Sequence, residues 1–160
     1  MRKKHLLRTI FSIGIIISCA FLPVKVFADS ADSMQPMVAF TFDDGPNKIY
    51  TKKLLDGLAE RNAKATFFVV GEKLDYESKT QTKQTTKENR ELVARMAAEG
   101  HTVANHSYSH CWLSKSTPQK VRYELSKTSQ LIEEITGKEV KYTRPPGGSA
   151  LTALWVRNIA

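Results

Sequence analysis

The sequence predicts an α/β fold of repeated strand and helix units, with its chemistry gathered where parallel strands end. Three observations carry this. Short runs with strand character, Met37–Phe42, Ala65–Val70, His101–Ala104 and Val140–Thr143, are separated by stretches whose apolar residues recur at helical spacing. Turn residues such as Gly45-Pro46, Gly71, Gly100 and Gly137 punctuate the boundaries. Three chemically loaded motifs, Thr41-Phe42-Asp43-Asp44-Gly45-Pro46, Asn105-His106-Ser107-Tyr108-Ser109-His110 and Arg144-Pro145-Pro146-Gly147-Gly148, lie at the ends of three of these runs. In folds of this kind the carboxyl ends of the strands hold the active site, so topology alone predicts that the motifs converge.

Taken in order, residues 1–28 read as an export signal. A basic start from Met1 to Arg8 precedes an apolar core from Ile10 to Leu22, then Pro23 and the small-residue pattern Val26-Phe27-Ala28. Cleavage after Ala28 is expected. Two other fates are an uncleaved anchor, although the core is shorter than the roughly 20 residues of a membrane span, and lipidation of Cys19, because Ile16-Ile17-Ser18-Cys19 resembles a bacterial lipoprotein cleavage site. Each places the remainder outside the cytoplasm. Residues 29–36 read as a short polar leader and residues 37–160 as the folded domain.

Met37–Phe42 is a continuous apolar run, the pattern of a fully buried strand. Leu54, Leu55, Leu58 and Ala59 set a helix over Tyr50–Arg61, and Ala65–Val70 is a second buried strand. Glu72–Lys87 is rich in Lys, Thr, Gln and Glu and reads as a solvated loop or frayed helix that the fold could do without. Leu92, Val93, Met96 and Ala97 begin a helix that Gly100 ends as a left-handed cap. After the third strand, Thr117-Pro118 starts a helix with Val121, Leu125, Thr128, Ile132 and Ile135 on one face, and Gly137 stops it. Val140–Thr143 is the fourth strand. Leu151–Ala160 has helical spacing but no stop signal. Four strands do not close an eight-membered barrel, so the domain reads as incomplete.

The composition, 41% hydrophobic and 25% charged, is that of an ordinary globular chain. Its net charge of +8 is concentrated in the first 28 residues, which hold five basic residues and no acid. What remains is only mildly basic and lacks a Lys/Arg cluster with interleaved aromatics, which excludes a nucleic-acid partner. A membrane is expected to be met only through the N-terminal segment, and the chain is expected to be a monomer. Once the signal is removed, Cys111 is the single thiol, so no internal disulfide can form.

Adjacent carboxylates at a strand mouth repel and gain nothing from burial, so a positive group between them is expected. His106 and His110 stand four apart, the spacing that puts two ring nitrogens on one face of a helical turn. With Asp44 they make a three-ligand set for a divalent metal, leaving a position for water. Asp43, pointing away from its neighbour along the strand, is better cast as the base. Arg144, if it reaches Asp43, would hold that carboxylate through a bidentate contact. Backbone N–H groups around Gly147 could stabilise an oxyanion. Such a combination suits metal-assisted hydrolysis of an amide or ester. Each piece alone has a plainer reading: an Asx turn, a solvated histidine pair, a rigid loop. His101 is read as structural or exposed, and Tyr108 and Trp112 as packing rather than sugar-stacking residues.

Thr41-Phe42-Asp43-Asp44-Gly45-Pro46, His106-Ser107-Tyr108-Ser109-His110 and Arg144-Pro145-Pro146-Gly147-Gly148, in that order, resemble the first three motifs of the polysaccharide deacetylases of the NodB-homology type, carbohydrate esterase family 4. The resemblance implies a distorted (β/α) barrel, of which this chain holds about the first four to five units. It also implies removal of N-acetyl groups from GlcNAc-type polymers, such as peptidoglycan or a chitin-like polysaccharide, with a divalent metal, commonly Zn2+. Carried over by position, Asp43 is the base, Asp44, His106 and His110 the ligands, and Arg144 the residue that orients the base. Gly147 stands where many members have Tyr, and the family uses the backbone N–H there. The family's fourth motif and its fifth, with the histidine general acid, have no counterpart here, which implies a truncated frame or a fragment. Two competing functions are a catalytically inactive cell-wall polysaccharide-binding module and, more weakly, a phosphoesterase, for which ligands to a second metal are lacking.

Overall fold

The computed structural model describes residues 37–151, and the predicted signal, lipidation site and leader in residues 1–36, like the helix expected over residues 152–160, lie outside the described residues. Three parallel strands form one sheet in the order β1 (Phe40–Gly45), β2 (Ala65–Val69), β3 (Thr102–Asn105). Helices α1 (Tyr50–Glu60), α2 (Lys83–Ala98) and α3 (Pro118–Thr136) supply the connections and outer layer. The α/β class and the parallel sheet are as the sequence predicts.

The helix boundaries follow local chemistry. The Thr117 hydroxyl accepts from the Lys120 N–H, Pro118 occupies the first turn, and Gly137 closes α3 at φ 65°. Gly100, at φ 80°, follows the end of α2. Leu55, Val69, Leu74, Val93, Met96 and Ile132 form the core between sheet and helices.

Four expectations are corrected. First, the opening strand is shifted to Phe40–Gly45 and is not buried: Phe40 is 51% exposed. Among the described residues β1 pairs only with β2, so an apolar run that reads as a central strand lies at a sheet edge. Second, Glu72–Lys87 is not dispensable. A 3₁₀ turn at Gly71–Leu74 drives Leu74 to 0% exposure, and α2 begins at Lys83 because the Thr82 hydroxyl caps the Thr85 N–H. The polar sequence hid this, since Asn89 and Arg90 are held by the main-chain carbonyls of Lys73 and Leu74 rather than by apolar packing. Third, Val140–Thr143 is reduced to one parallel bridge between Asn105 and Thr143. Arg144, immediately after it, leads into two prolines that cannot donate to a ladder, and Tyr142 is exposed. Fourth, the His106–His110 segment is not helical. It is a loop with Ser107 at φ 65° and His110 at φ 55°.

Candidate metal centre

The loop that carries the histidines is shaped by where its backbone groups go. His106 N–H donates to Val69 O, Ser107 N–H to Asn105 Oδ1, and the carbonyls of Ser107 and Tyr108 accept from the N–H groups of Gly71 and Glu72. Asn105 is itself buried, its amide donating to Leu125 O and Ser129 Oγ of α3. The close approach of the 3₁₀ turn demands glycine at 71: a Cβ there would lie 2.3 Å from Thr128 Oγ1.

The carboxylates arrive by a different device. The β1–β2 register shifts between Phe42 and Gly45, and Asp44 adopts φ 65°. That irregularity cancels the strict up-down alternation of a strand, so Asp43 and Asp44 both reach the histidine loop. Asp44 Oδ1 lies 2.9 Å from His110 Nε2 and 3.3 Å from His106 Nε2, while Asp43 Oδ2 is 4.0 Å from His106 Nε2. One ligand atom from each of Asp44, His106 and His110 falls within 4.8 Å of the others.

His106 is locked by burial and by a bond from Nδ1 to the carbonyl oxygen of Arg144, 2.6 Å away. A carbonyl can only accept, so Nδ1 carries the proton and Nε2 presents its lone pair toward Asp44 and His110. This tautomer fits a cation, as does the donor set of two imidazoles and a carboxylate.

The Arg144 side chain is fixed three times over. It stacks on Phe68 with its guanidinium carbon 4.0 Å from the ring centroid, and Nη1 donates to Asp43 Oδ1 at 2.6 Å and Thr41 Oγ1 at 3.2 Å. The contact with Asp43 is through one nitrogen and not the bidentate fork expected from sequence, because that nitrogen is shared with Thr41. Both partners are partly exposed, so the pair orients more than it stabilises. The exposed Lys73 ammonium donates to the carbonyl oxygen of Asp44 at 2.6 Å and adds positive charge at the rim.

All six residues singled out from sequence, Asp43, Asp44, His106, His110, Arg144 and Gly147, line one open cleft of about 710 Å³. Gly147 sits at φ 66° in the Pro146–Leu151 turn, and a Cβ there would rest 3.5 Å from the indole of half-exposed Trp112. His101 lies elsewhere, buried edge-on to Phe67 with Nδ1 accepting from the Ala65 N–H. Tyr108 packs inward, its hydroxyl donating to Asp75. Sequence reasoning missed Thr41, Phe68, Lys73 and Glu124. Of these only Glu124 carries a signal, as an acid on the apolar face of α3.

Residues 30–158 match the family described as Polysaccharide deacetylase. The chain belongs to that family. This polysaccharide deacetylase homologue is 37% identical over 125 residues to a peptidoglycan-N-acetylglucosamine deacetylase of Bacillus cereus, covering 78% of the chain and 41% of the relative. It is 40% identical over 117 residues to a chitooligosaccharide deacetylase of Rhizobium leguminosarum bv. phaseoli, covering 72% of the chain and 42% of the relative. In three dimensions it resembles the peptidoglycan deacetylase PdaC of Bacillus subtilis, with a TM-score of 0.65, 33% identity, and coverage of 80% of this chain and 57% of that one. The chain thus spans less than half the length of either curated relative.

Proposed function

We propose that this chain is a metal-dependent hydrolase that removes N-acetyl groups from GlcNAc-containing polysaccharide, peptidoglycan or a chitin-like polymer, outside the cytoplasm or at the cell wall. The observation that carries the reading is the convergence of Asp44, His106 and His110 beside a separate carboxylate, Asp43, held by Arg144. Names of relatives point the same way: one is a peptidoglycan-N-acetylglucosamine deacetylase and the other a chitooligosaccharide deacetylase.

Asp44, His106 and His110 would hold the divalent cation, Zn2+ being the expected ion. Bound there, it supplies Lewis acidity, which lowers the pKa of a water molecule toward neutrality and polarises the scissile carbonyl. Asp43 takes the proton as water attacks the acetamide carbon, and Arg144 keeps that carboxylate aimed. Gly147 lines the cleft, and its N–H is assigned to the developing oxyanion. Collapse of the tetrahedral species breaks the C–N bond as the proton taken up by Asp43 passes to the nitrogen, releasing acetate and leaving the amine on the sugar.

The test is acetate release from N-acetylated chito-oligosaccharides and from peptidoglycan, with and without chelator. Release that disappears on chelation and returns with Zn2+ supports the reading. Release that ignores chelator, or none at all with Zn2+ added, overturns it.

A further inference from the structure

We propose that Glu124 is the positioning residue of the candidate metal centre: from α3, its buried carboxylate fixes the loop that aims His110 at Asp44. The inference rests on the metal-centre reading above and adds a residue to it. Glu124 is 2% exposed, and both its oxygens are spent on one residue. Oε2 accepts the main-chain N–H of Ser109 at 2.7 Å, and Oε1 accepts the Ser109 hydroxyl at 2.6 Å. Among the described residues no Lys, Arg or His forms an ion pair with it. A carboxylate taken out of water without a countercharge is costly, and a helix face between Val121 and Leu125 would be better served by an apolar side chain.

The contrast between the two histidines shows what the carboxylate does. His106 is buried, and its Nδ1 is tied to the Arg144 carbonyl. The His110 side chain is 47% exposed, and among the described residues no hydrogen bond engages its Nδ1. Beyond its contacts with the Asp44 carboxylate and the His106 ring, its orientation is set by its backbone, which sits at φ 55°. A non-glycine residue stays in that region only where its surroundings over-determine it. On the upstream side the loop is pinned by Val69, Gly71 and Glu72 through the backbone of residues 106–108. The Ser109 N–H is the next donor along, and Glu124 takes it, together with the hydroxyl beside it.

Co2+ titration of the full chain, followed by its visible absorption, tests this without reference to turnover. Wild type should bind. Glu124→Gln keeps the shape but replaces two charged acceptors with one neutral oxygen and an NH2 group that the Ser109 hydroxyl must turn to accept, and should raise the Kd for Co2+ about 10–100-fold with an altered absorption spectrum. A residue that merely braces α3 would lower the melting temperature of the metal-free protein and leave both Kd and spectrum unchanged, and that result overturns the proposal. If Glu124→Gln does not fold, Ser109→Ala removes one bond and leaves the carboxylate in place. A several-fold rise in Kd then supports the proposal, and an unchanged Kd overturns it. Failure of wild type itself to bind Co2+ sinks the metal-centre reading instead.

Discussion

His106 and Arg144 are joined through the main chain of one and the side chain of the other: imidazole Nδ1 lies 2.6 Å from the Arg144 carbonyl oxygen, while the Arg144 guanidinium reaches Asp43. One residue thus sets the tautomer of a candidate ligand with its backbone and the aim of the candidate base with its side chain. The two jobs can be separated by mutation, because a substitution keeps the carbonyl.

Arg144→Lys should leave Co2+ or Zn2+ affinity within about 3-fold of wild type, since the bond to His106 is retained. Acetate release should fall about 10²-fold, because an ammonium can neither stack on Phe68 as a plane nor reach Asp43 and Thr41 in the same geometry. Parallel metal titration and acetate assays check the split.

Asp43→Asn should abolish most acetate release, by about 10²–10⁴-fold, with metal binding preserved. Asp44→Asn and His110→Ala should instead lose metal. Were Asp43→Asn to bind polysaccharide like wild type while wild type itself released no acetate, the chain would be a carbohydrate-binding module.

Gly71→Ala places a methyl 2.3 Å from Thr128 Oγ1 and 3.1 Å from Tyr108 Cδ2. The expected cost is about 1–3 kcal/mol, as for other insertions into a packed interior. Urea denaturation measures it, and a second change, Thr128→Ala, should recover part of the loss.

Acid should destabilise the metal-free chain through His101. Burial, reinforced by the Lys64 charge, pushes its imidazole below the ordinary value, against an opposing pull from Glu99, and Arg95 adds a further lowering charge. The unfolded chain therefore binds the proton more readily. The stability is fully present above the unfolded pKa of about 6.5 and is lost as pH falls from there through the folded value. Protonating Nδ1 would also break its bond from the Ala65 N–H. Unfolding by urea at about pH 7.5 and pH 5, with chelator present, should show the drop, and His101→Gln should flatten it.

What the sequence determined by itself was whatever depends on near neighbours. Capping and stop residues such as Thr117, Pro118 and Gly137 act within a turn of where they stand, so the boundaries of α3 were legible. The first two motifs could be placed at strand ends for the same reason, and the parallel topology that joins them followed from the alternation of elements. What only the tertiary structure decided depends on residues far apart in the chain. The exposure of Phe40 is a matter of which strands flank β1, and the importance of Gly71–Leu74 lies in its contacts with residues 107, 108 and 128. Asp43 and Asp44 share a cleft only because a register shift undoes their alternation. Glu124 is marked in the sequence only as an acid on an apolar helix face, and its partner, the Ser109 N–H, is supplied when α3 is laid against the histidine loop. Hydrogen-bond demand in a folded chain is satisfied through space, and no local pattern of side chains records it.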